Sequence, residues 1–233
     1  MLEIHETAAW RASHPGGAIG LLELSGINNA QVSYALEARK REIEADLRRH
    51  YNGYSRENFL ALPVLAAYKQ YYKQFKKTYH VQLQVESIVL KGKRLPTVSP
   101  LVDANFMAEV TTFVLAAGHD VARLGPLVLW MFRAWTTRSP NGRRSKQIGA
   151  GDMIMRDRGG VSCSIIYGQD NRSPIATGTN HVVYVSYAPA GVPLAAVERH
   201  LRTVHENVRL FAPGAAVEQR RVLLASGDAY AVR

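Results

Sequence analysis

The sequence predicts an α+β fold, with helices packed on a mixed or antiparallel sheet. Segments with helical periodicity precede and follow a cluster of short β-rich runs, whereas a β-α-β fold would alternate the two. Hydrophobic residues make up 47% of the chain and charged residues 21%, as in ordinary globular proteins. No repeat or low-complexity tract divides the chain, so we expect a single domain over residues 1–233 with its core in residues 19–211.

The first part of the chain predicts a strand and a long helix. The apolar run Ala18–Leu24 ends at Ser25-Gly26 and is typical of a short strand. Asn28–Arg49 repeats apolar residues at helical spacing, and EARKREIEADLRR supplies charges for its other side. Asn52-Gly53 then predicts a turn.

The stretch YKQYYKQFKK, residues 68–77, alternates aromatic rings with lysines and has two interpretations. A surface for RNA would need both on one face, because bases stack on rings while phosphates bind lysine. In a helix over Pro63–Tyr79, the rings share one side and the lysines lie on the other. We therefore expect a buried aromatic stripe (Tyr68, Tyr71, Tyr72, Phe75, Tyr79) and an exposed phosphate-binding lysine face (Lys69, Lys73, Lys76, Lys77).

Two further helices are predicted before residue 120. VQLQVESIVLKGK fits both strand alternation and a helix, and Gly92 as a C-terminal cap favours the helix. Leu101–Ala117 is apolar on nearly all sides, which predicts a buried helix ending at Gly118. Its polar exceptions form a line along one side, and buried polar groups need protein, water or ligand partners. This polar line is Asn105, Glu109 and Thr112, flanked by Asp103 and Thr111 and followed by His119-Asp120.

After Pro126 the pattern changes to strands and turns. LVLWMF, DMIMRD, VSCSIIYG and HVVYVSYAP predict strands, and Gly159-Gly160 predicts a hairpin turn. The basic segment TTRSPNGRRSKQIGAG, residues 136–151, is typical of a loop. Pro193–Phe211 predicts a helix, and Val222–Ala225 a last strand.

Charge indicates a polyanionic partner. Lys and Arg total 29 against 19 Asp and Glu, for a net charge of +10, which favours nucleic acid over a charge that serves solubility alone. The single cysteine, Cys163, excludes a disulfide within the chain and a cysteine-based metal cage, and we expect no metal or cofactor. No run of 18 apolar residues and no secretory signal is visible, so we expect a cytoplasmic protein without a membrane span.

Familiar catalytic signatures are absent, but two polar constellations remain. One is the polar line of the buried helix with His119 beyond it. The other is YGQDNRSP, where Gly168 allows close backbone approach and Gln169, Asn171 and Arg172 offer hydrogen bonds and charge. Such residues are also typical of a polar surface turn. Neither constellation by itself identifies a reaction.

Three stretches, YYKQFKKTY, IVLKGKRLPTVSPLVDANF and GDMIMRDRGGVSCSIIYGQDNRSP, together resemble the B3/B4 domain of the phenylalanyl-tRNA synthetase β subunit and its free-standing relatives. The matching elements are Tyr72–Tyr79, the Lys91–Pro96 loop, and Leu101–Asp103 with Asn105, within a likeness that spans Ile19 to Pro189. That domain is α+β and hydrolyses tRNA wrongly charged with tyrosine. The resemblance therefore implies an aminoacyl-tRNA deacylase that acts in trans on the aminoacylated 3′ end.

The resemblance also implies roles for individual residues. Asn105, Thr112, His119, Gly168 and Gln169 are the candidate catalytic residues, which orient water or substrate, transfer a proton and stabilise the oxyanion. The candidate substrate-binding residues are Glu109, Thr111, Asn171 and Arg172. Lys91, Lys93 and Arg94 join the lysine face as candidate RNA contacts.

This sequence departs from the family pattern at two places. Ala122 stands where the family has a histidine, and Val183 or Tyr184 where it has an acid that senses the tyrosine hydroxyl. The amino acid recognised is therefore open. Two alternatives also remain: a non-catalytic tRNA- or RNA-binding module with the same fold, and a small-molecule binding protein.

Overall fold

The computed structural model describes residues 2–29, 33–125, 127–132, 138–139 and 146–232. Helices α1 to α7 span Ala8–Ser13, Tyr34–His50, Arg56–Ala61, Pro63–Lys73, His80–Val89, Pro100–Thr112 and Leu194–Arg209. Strands β1 to β12 span Glu3–Glu6, Ala18–Ser25, Ala116–Asp120, Leu127–Phe132, Arg138–Ser139, Lys146–Gln147, Met153–Asp157, Gly160–Ser164, Gly168–Gln169, His181–Ala188, Ala216–Leu224 and Ala229–Ala231. The predicted α+β class is confirmed.

The strands form two five-stranded sheets and one small pair. The first sheet has the order β12-β11-β2-β10-β3 and is antiparallel throughout. The second has the order β1-β4-β7-β8-β9, in which β1 and β4 are parallel and the other pairs antiparallel. Strands β5 and β6 form the small antiparallel pair. The expectation of a mixed or antiparallel sheet holds for both large sheets.

Strand β2 is the predicted first strand, and it lies at the centre of the antiparallel sheet. Seven of its residues, 18–24, are buried, because α7 covers one face of the sheet. Gly20 permits this contact, since a Cβ there would lie 2.8 Å from a methyl group of Val197 and 3.2 Å from one of Leu201. Helix α7 matches the prediction within two residues at each end.

Helix α4 is shorter than predicted, although the predicted faces are right. It ends at Lys73, and Lys76 has a left-handed φ of 54°, which breaks the helix before α5 begins. Tyr68, Tyr71, Tyr72 and Tyr79 are buried, Phe75 is half-buried, and the four lysines are exposed. The rings of Tyr68 and Tyr79 stack at 4.2 Å between centroids, so the stripe belongs to the core.

Helix α6 is buried as predicted, but it does not reach Ala117 or end at Gly118. It ends at Thr112, and Phe113 takes a left-handed conformation with φ of 61°. The chain then enters β3, which pairs with β10, and Gly118 lies inside that strand. The predicted helix was too long because an apolar run fits a buried helix and a buried strand equally well.

The remaining predictions are mostly confirmed. VQLQVESIVLKGK forms α5, and Gly92 after it has a left-handed φ of 64°. Helix α2 begins at Tyr34 after the cap Ser33, later than the predicted Asn28. Strands β4, β7, β8, β10 and β11 overlap the predicted runs, although β8 continues through VSCSIIYG only to Ser164, and Gly159 lies in the tight turn between β7 and β8. Most of the predicted basic loop 136–151 lies outside the described residues. None of the helices described here has the length and apolarity needed to span a membrane.

Candidate functional site

The two polar constellations of the sequence meet at one cavity of about 280 Å³. It lies between the outer face of α6, strand β3 and the β8–β9 hairpin, and it opens to solvent. The lining residues are His80, Val102, Asn105, Phe106, Leu115, Ala116, Ala117, Gly118, Cys163, Ser164, Ile165, Gly168, Gln169, Pro174, Ile175 and Tyr187. Most of this surface is apolar, with a few polar groups that converge from different elements, as in small-molecule sites generally.

Asn105 is the member of the polar line that lines the cavity. Its Nδ2 donates to the carbonyl oxygen of Ala116 at 3.3 Å, which fixes the orientation of the amide. Its Oδ1 is buried and has no hydrogen-bond partner within the described part of the chain. A buried acceptor without a partner is costly, so Asn105 is suited to a water or ligand that donates a hydrogen bond.

Glu109 and the two threonines do not line the cavity. Glu109 Oε1 accepts the backbone N–H of Ala116 at 3.0 Å, and burial raises the pKa of this carboxyl to about 8. Thr112 donates to the carbonyl oxygen of Ala108 and lies 2.9 Å from Nδ1 of His200. Thr111 donates to the carbonyl oxygen of Met107. Glu109 and Thr112 therefore link the end of α6 to β3 and α7, whereas the hydrogen bond of Thr111 stays within the helix. Asn105 and Glu109 together bind both backbone groups of Ala116.

His119 lies behind the cavity wall rather than in it. Its side chain is fully buried, and Nδ1 lies 2.8 Å from the hydroxyl of Ser173. Nε2 of Gln169 donates to the same Nδ1 at 3.0 Å and to the carbonyl oxygen of Ser173 at 2.7 Å. Burial, assisted by the charge of Arg172, lowers the pKa of His119 to about 3, so the imidazole is neutral at pH 7. His119 therefore positions Gln169, which does line the cavity.

Arg172 is occupied by ion pairs inside the loop. Its guanidinium lies 3.0 Å from Asp157 Oδ1 and 2.6 Å from Asp170 Oδ2, and it donates to the hydroxyl of Ser162. Both carboxylates are almost completely buried. Asn171 beside it is exposed. The ion pairs of Arg172 therefore stabilise the loop, whereas the side chain of Asn171 is exposed to solvent.

Gly168 lies at the cavity edge in a left-handed conformation. Its φ is +82°, which side chains rarely adopt, and the space where a Cβ would stand is open. Gly118 on the opposite wall is confined, since a Cβ there would lie 2.6 Å from Cδ1 of Ile175. A Cβ would therefore find open space at Gly168, whereas at Gly118 it would collide with Ile175.

The cavity residues that were not predicted as site residues include His80, Ser164 and Cys163. The Nδ1 atom of His80 lies 3.4 Å from the hydroxyl oxygen of Tyr72, and burial lowers the pKa of the His80 imidazole. Ser164 donates to the buried carboxylate of Asp152. Burial raises the pKa of Cys163 to about 12, so its thiol stays protonated. A sequence signal existed only for His80, which follows directly after the aromatic stripe.

The basic residues lie on the surface as expected. All four lysines of the lysine face are exposed, and so are Lys91, Lys93 and Arg94 of the loop after α5. Among the described residues, no cluster of three His, Cys, Asp or Glu side chains is arranged to hold a metal ion.

The comparisons with known proteins give a distant structural neighbour. No family model matches the sequence, and no curated protein is similar to it. The fold is similar to an N-terminal fragment of the phenylalanyl-tRNA synthetase β subunit from Pyrococcus horikoshii, at 10% sequence identity and a TM-score of 0.47. The alignment covers 94% of this chain and 51% of the fragment, so the chain spans about half of the fragment's length.

Proposed function

We propose that the protein is a free-standing aminoacyl-tRNA deacylase with a B3/B4-like fold, which hydrolyses mischarged tRNA in trans. The observation that carries the proposal is the cavity shared by Asn105 and the Gly168-Gln169 turn. These segments lie within the stretches that resemble an editing domain, and they converge although 62 residues separate Asn105 from Tyr167, where the second polar constellation begins. Pockets for drug-sized ligands have about 300 Å³ or more. The cavity, at about 280 Å³, is close to this lower end, which suits the smaller acyl part of such a substrate.

The proposed chemistry is direct attack of water on the ester. Water adds to the carbonyl carbon, and the C–O bond to the ribose breaks as a proton reaches the ribose oxygen. Asn105 Oδ1 accepts a hydrogen bond from the water or the substrate ammonium group. The backbone at Gly168 stabilises the oxyanion, and the Gln169 amide, whose protons bind His119 Nδ1 and the carbonyl oxygen of Ser173, holds that turn in place. His80 accepts the proton of the water and passes it to the ribose oxygen. His80 suits this role because its lowered pKa leaves the imidazole neutral at pH 7.

The other predicted site residues take supporting roles in this proposal. Glu109 and Thr112 fix the end of α6, and His119 and Arg172 fix the Gln169 turn. We expect their substitution to act through the position of Asn105 or Gln169, because they do not reach the substrate themselves. Thr111 and Asn171 do not line the cavity. In this proposal the lysine face and the Lys91–Arg94 loop bind the phosphate backbone.

A panel of purified aminoacyl-tRNAs tests the proposal. We expect amino-acid release from at least one member, and most from an apolar amino acid, because Phe106, Ile165 and Ile175 line the cavity. Release from none of them would remove the enzyme hypothesis. The matched control is the same panel without protein, which measures spontaneous hydrolysis of each ester.

The second candidate is a non-catalytic RNA-binding module. The burial of His119 favours it, since the histidine nearest the family pattern has no access to a substrate. This candidate predicts binding of uncharged tRNA that weakens steeply with salt, together with no amino-acid release. A small-molecule binding protein would instead show little salt dependence toward tRNA.

A further inference from the structure

A second groove, of about 220 Å³, lies on the other side of Phe106 from the cavity. Phe106 lines both, so the ring forms a common wall. Helix α5 supplies Leu83, Gln84, Ser87 and Ile88, and the loop after it supplies Lys93, Arg94, Leu95 and Pro96. The floor is apolar, and the two cations lie on one side of it.

The loop that forms the cationic side is held in place although it is exposed. Arg48 on α2 donates through Nε to the carbonyl oxygen of Ile88 at 3.1 Å and through Nη2 to that of Lys93 at 2.9 Å. Glu44 accepts the N–H of Leu95 at 2.7 Å, and the N–H of Lys93 donates to the carbonyl oxygen of Ser87. The shape of the groove is therefore preset, which lowers the entropic cost of binding.

Four side chains in the groove have groups that the described residues leave without a partner or exposed to solvent. Lys93 and Arg94 are exposed and make no ion pair within the described residues. The Oε1 atom of Gln84 is buried and has no hydrogen-bond partner there. Leu83 is a large apolar side chain with 41% exposure. A ligand that satisfies all of them has a flat apolar body, a hydrogen-bond donor and a negative charge.

We propose that this groove binds the 3′-terminal nucleotide of an RNA, with an amino-substituted base such as adenine on the apolar floor. The exocyclic amine donates to Gln84 Oε1, and the phosphate binds Lys93 and Arg94. The ribose then lies beside Phe106, from which an attached acyl group enters the cavity. The assignment of the acyl group rests on the proposed deacylase function, whereas nucleotide binding does not require any hydrolysis.

Calorimetric titration of the full chain with AMP, IMP and adenosine tests this subsite. We expect AMP to bind about tenfold tighter than IMP, whose base has a carbonyl oxygen in place of the amine, and Gln84→Leu to remove that preference. The double variant Lys93→Ala/Arg94→Ala weakens AMP by about tenfold or more and leaves adenosine unchanged. The matched control, Arg199→Ala/Arg209→Ala, removes equal charge from two exposed positions of α7 and leaves AMP binding unchanged.

Two results would overturn the subsite: no binding of AMP, or equal loss of AMP affinity in the control pair. Binding of an apolar peptide that AMP does not displace would also overturn it, since the groove would then be a protein-docking site. All substituted side chains except Gln84 are exposed, and far-UV circular dichroism checks that each variant is folded. AMP binding without deacylation removes only the proposed function, and deacylation without AMP binding removes only the subsite.

Discussion

The α6 end and the Gln169 turn supply the polar groups of the cavity in different ways. On α6, Asn105 and Glu109 hold the neutral backbone of Ala116, and burial keeps Glu109 largely protonated at pH 7. In the turn, Arg172 pairs with two buried carboxylates, and His119 holds Gln169. In each region one side chain reaches the cavity while its neighbours hold it in place. The turn depends on charge, whereas the α6 end depends on neutral hydrogen bonds.

The largest expected effect comes from breaking the charge pairs of the turn. Arg172→Ala leaves the carboxylates of Asp157 and Asp170 buried without their cation. Removing one partner of a buried pair costs about 3 kcal/mol of unfolding free energy or more. Urea unfolding measures the loss, with Arg123→Ala as the control because its ion pair with Asp120 is longer, at 3.7 Å, and the arginine is half exposed. A loss below about 1 kcal/mol would show that the turn does not depend on this charge network.

A smaller effect is expected at the wall that α6 and β3 share. In Gly118→Ala the new Cβ would lie 2.6 Å from Ile175 Cδ1 and 3.0 Å from the ring of Tyr184, so the Ile175 side chain, which lines the cavity, must shift. Overpacking of this kind costs about 2 kcal/mol. The control is Gly178→Ala, where nothing lies within 4 Å of a Cβ. Equal unfolding midpoints for the two variants would contradict the close packing of this wall.

The pH dependence of stability distinguishes the neutral region from the charged one. Burial raises the pKa of Glu109 to about 8 from an ordinary 4.5, so between these values the folded protein holds a proton that the unfolded chain has released. Stability contributed by this group therefore falls as pH rises. From about pH 7 to about pH 8.5, wild type should lose more unfolding free energy than Glu109→Gln. His119 and His200, with pKa values of about 3, are neutral throughout this interval.

If wild type and Glu109→Gln lose the same unfolding free energy over that interval, Glu109 is ionised in the folded state. The α6 end would then not depend on neutral hydrogen bonds.

The smallest effect on unfolding free energy is expected from the lysine face, which belongs to neither the α6 end nor the Gln169 turn. Replacing Lys69, Lys73, Lys76 and Lys77 by alanine should change unfolding free energy by less than about 1 kcal/mol, since all four are exposed. The same change should reduce the salt dependence of tRNA affinity, by about one unit of logarithmic slope for each phosphate that the protein no longer neutralises. An unchanged slope, measured by filter binding over a range of salt, would place the RNA elsewhere.

The sequence predicted elements better than it predicted side-chain partners. Ring spacing placed the aromatic stripe in the core and the lysines outside, because a helix separates faces by period alone. The apolar pattern did not predict the change from α6 to β3, since the residues after Phe113 are as apolar as those before it. Only the fold shows that Thr112 contacts His200 and that His119 supports Gln169. These partners lie 88 and 50 residues apart, and no local pattern encodes such pairs.

Single-turnover release of amino acid from a mischarged tRNA tests whether the cavity receives the acyl group. We expect release by the wild-type protein and a loss of about a hundredfold in both Asn105→Ala and Gln169→Ala. Asn180→Ala, at an exposed asparagine outside the cavity, should retain the wild-type rate. Equal rates in all four proteins, with the fold of each verified, would show that the cavity does not receive the acyl group.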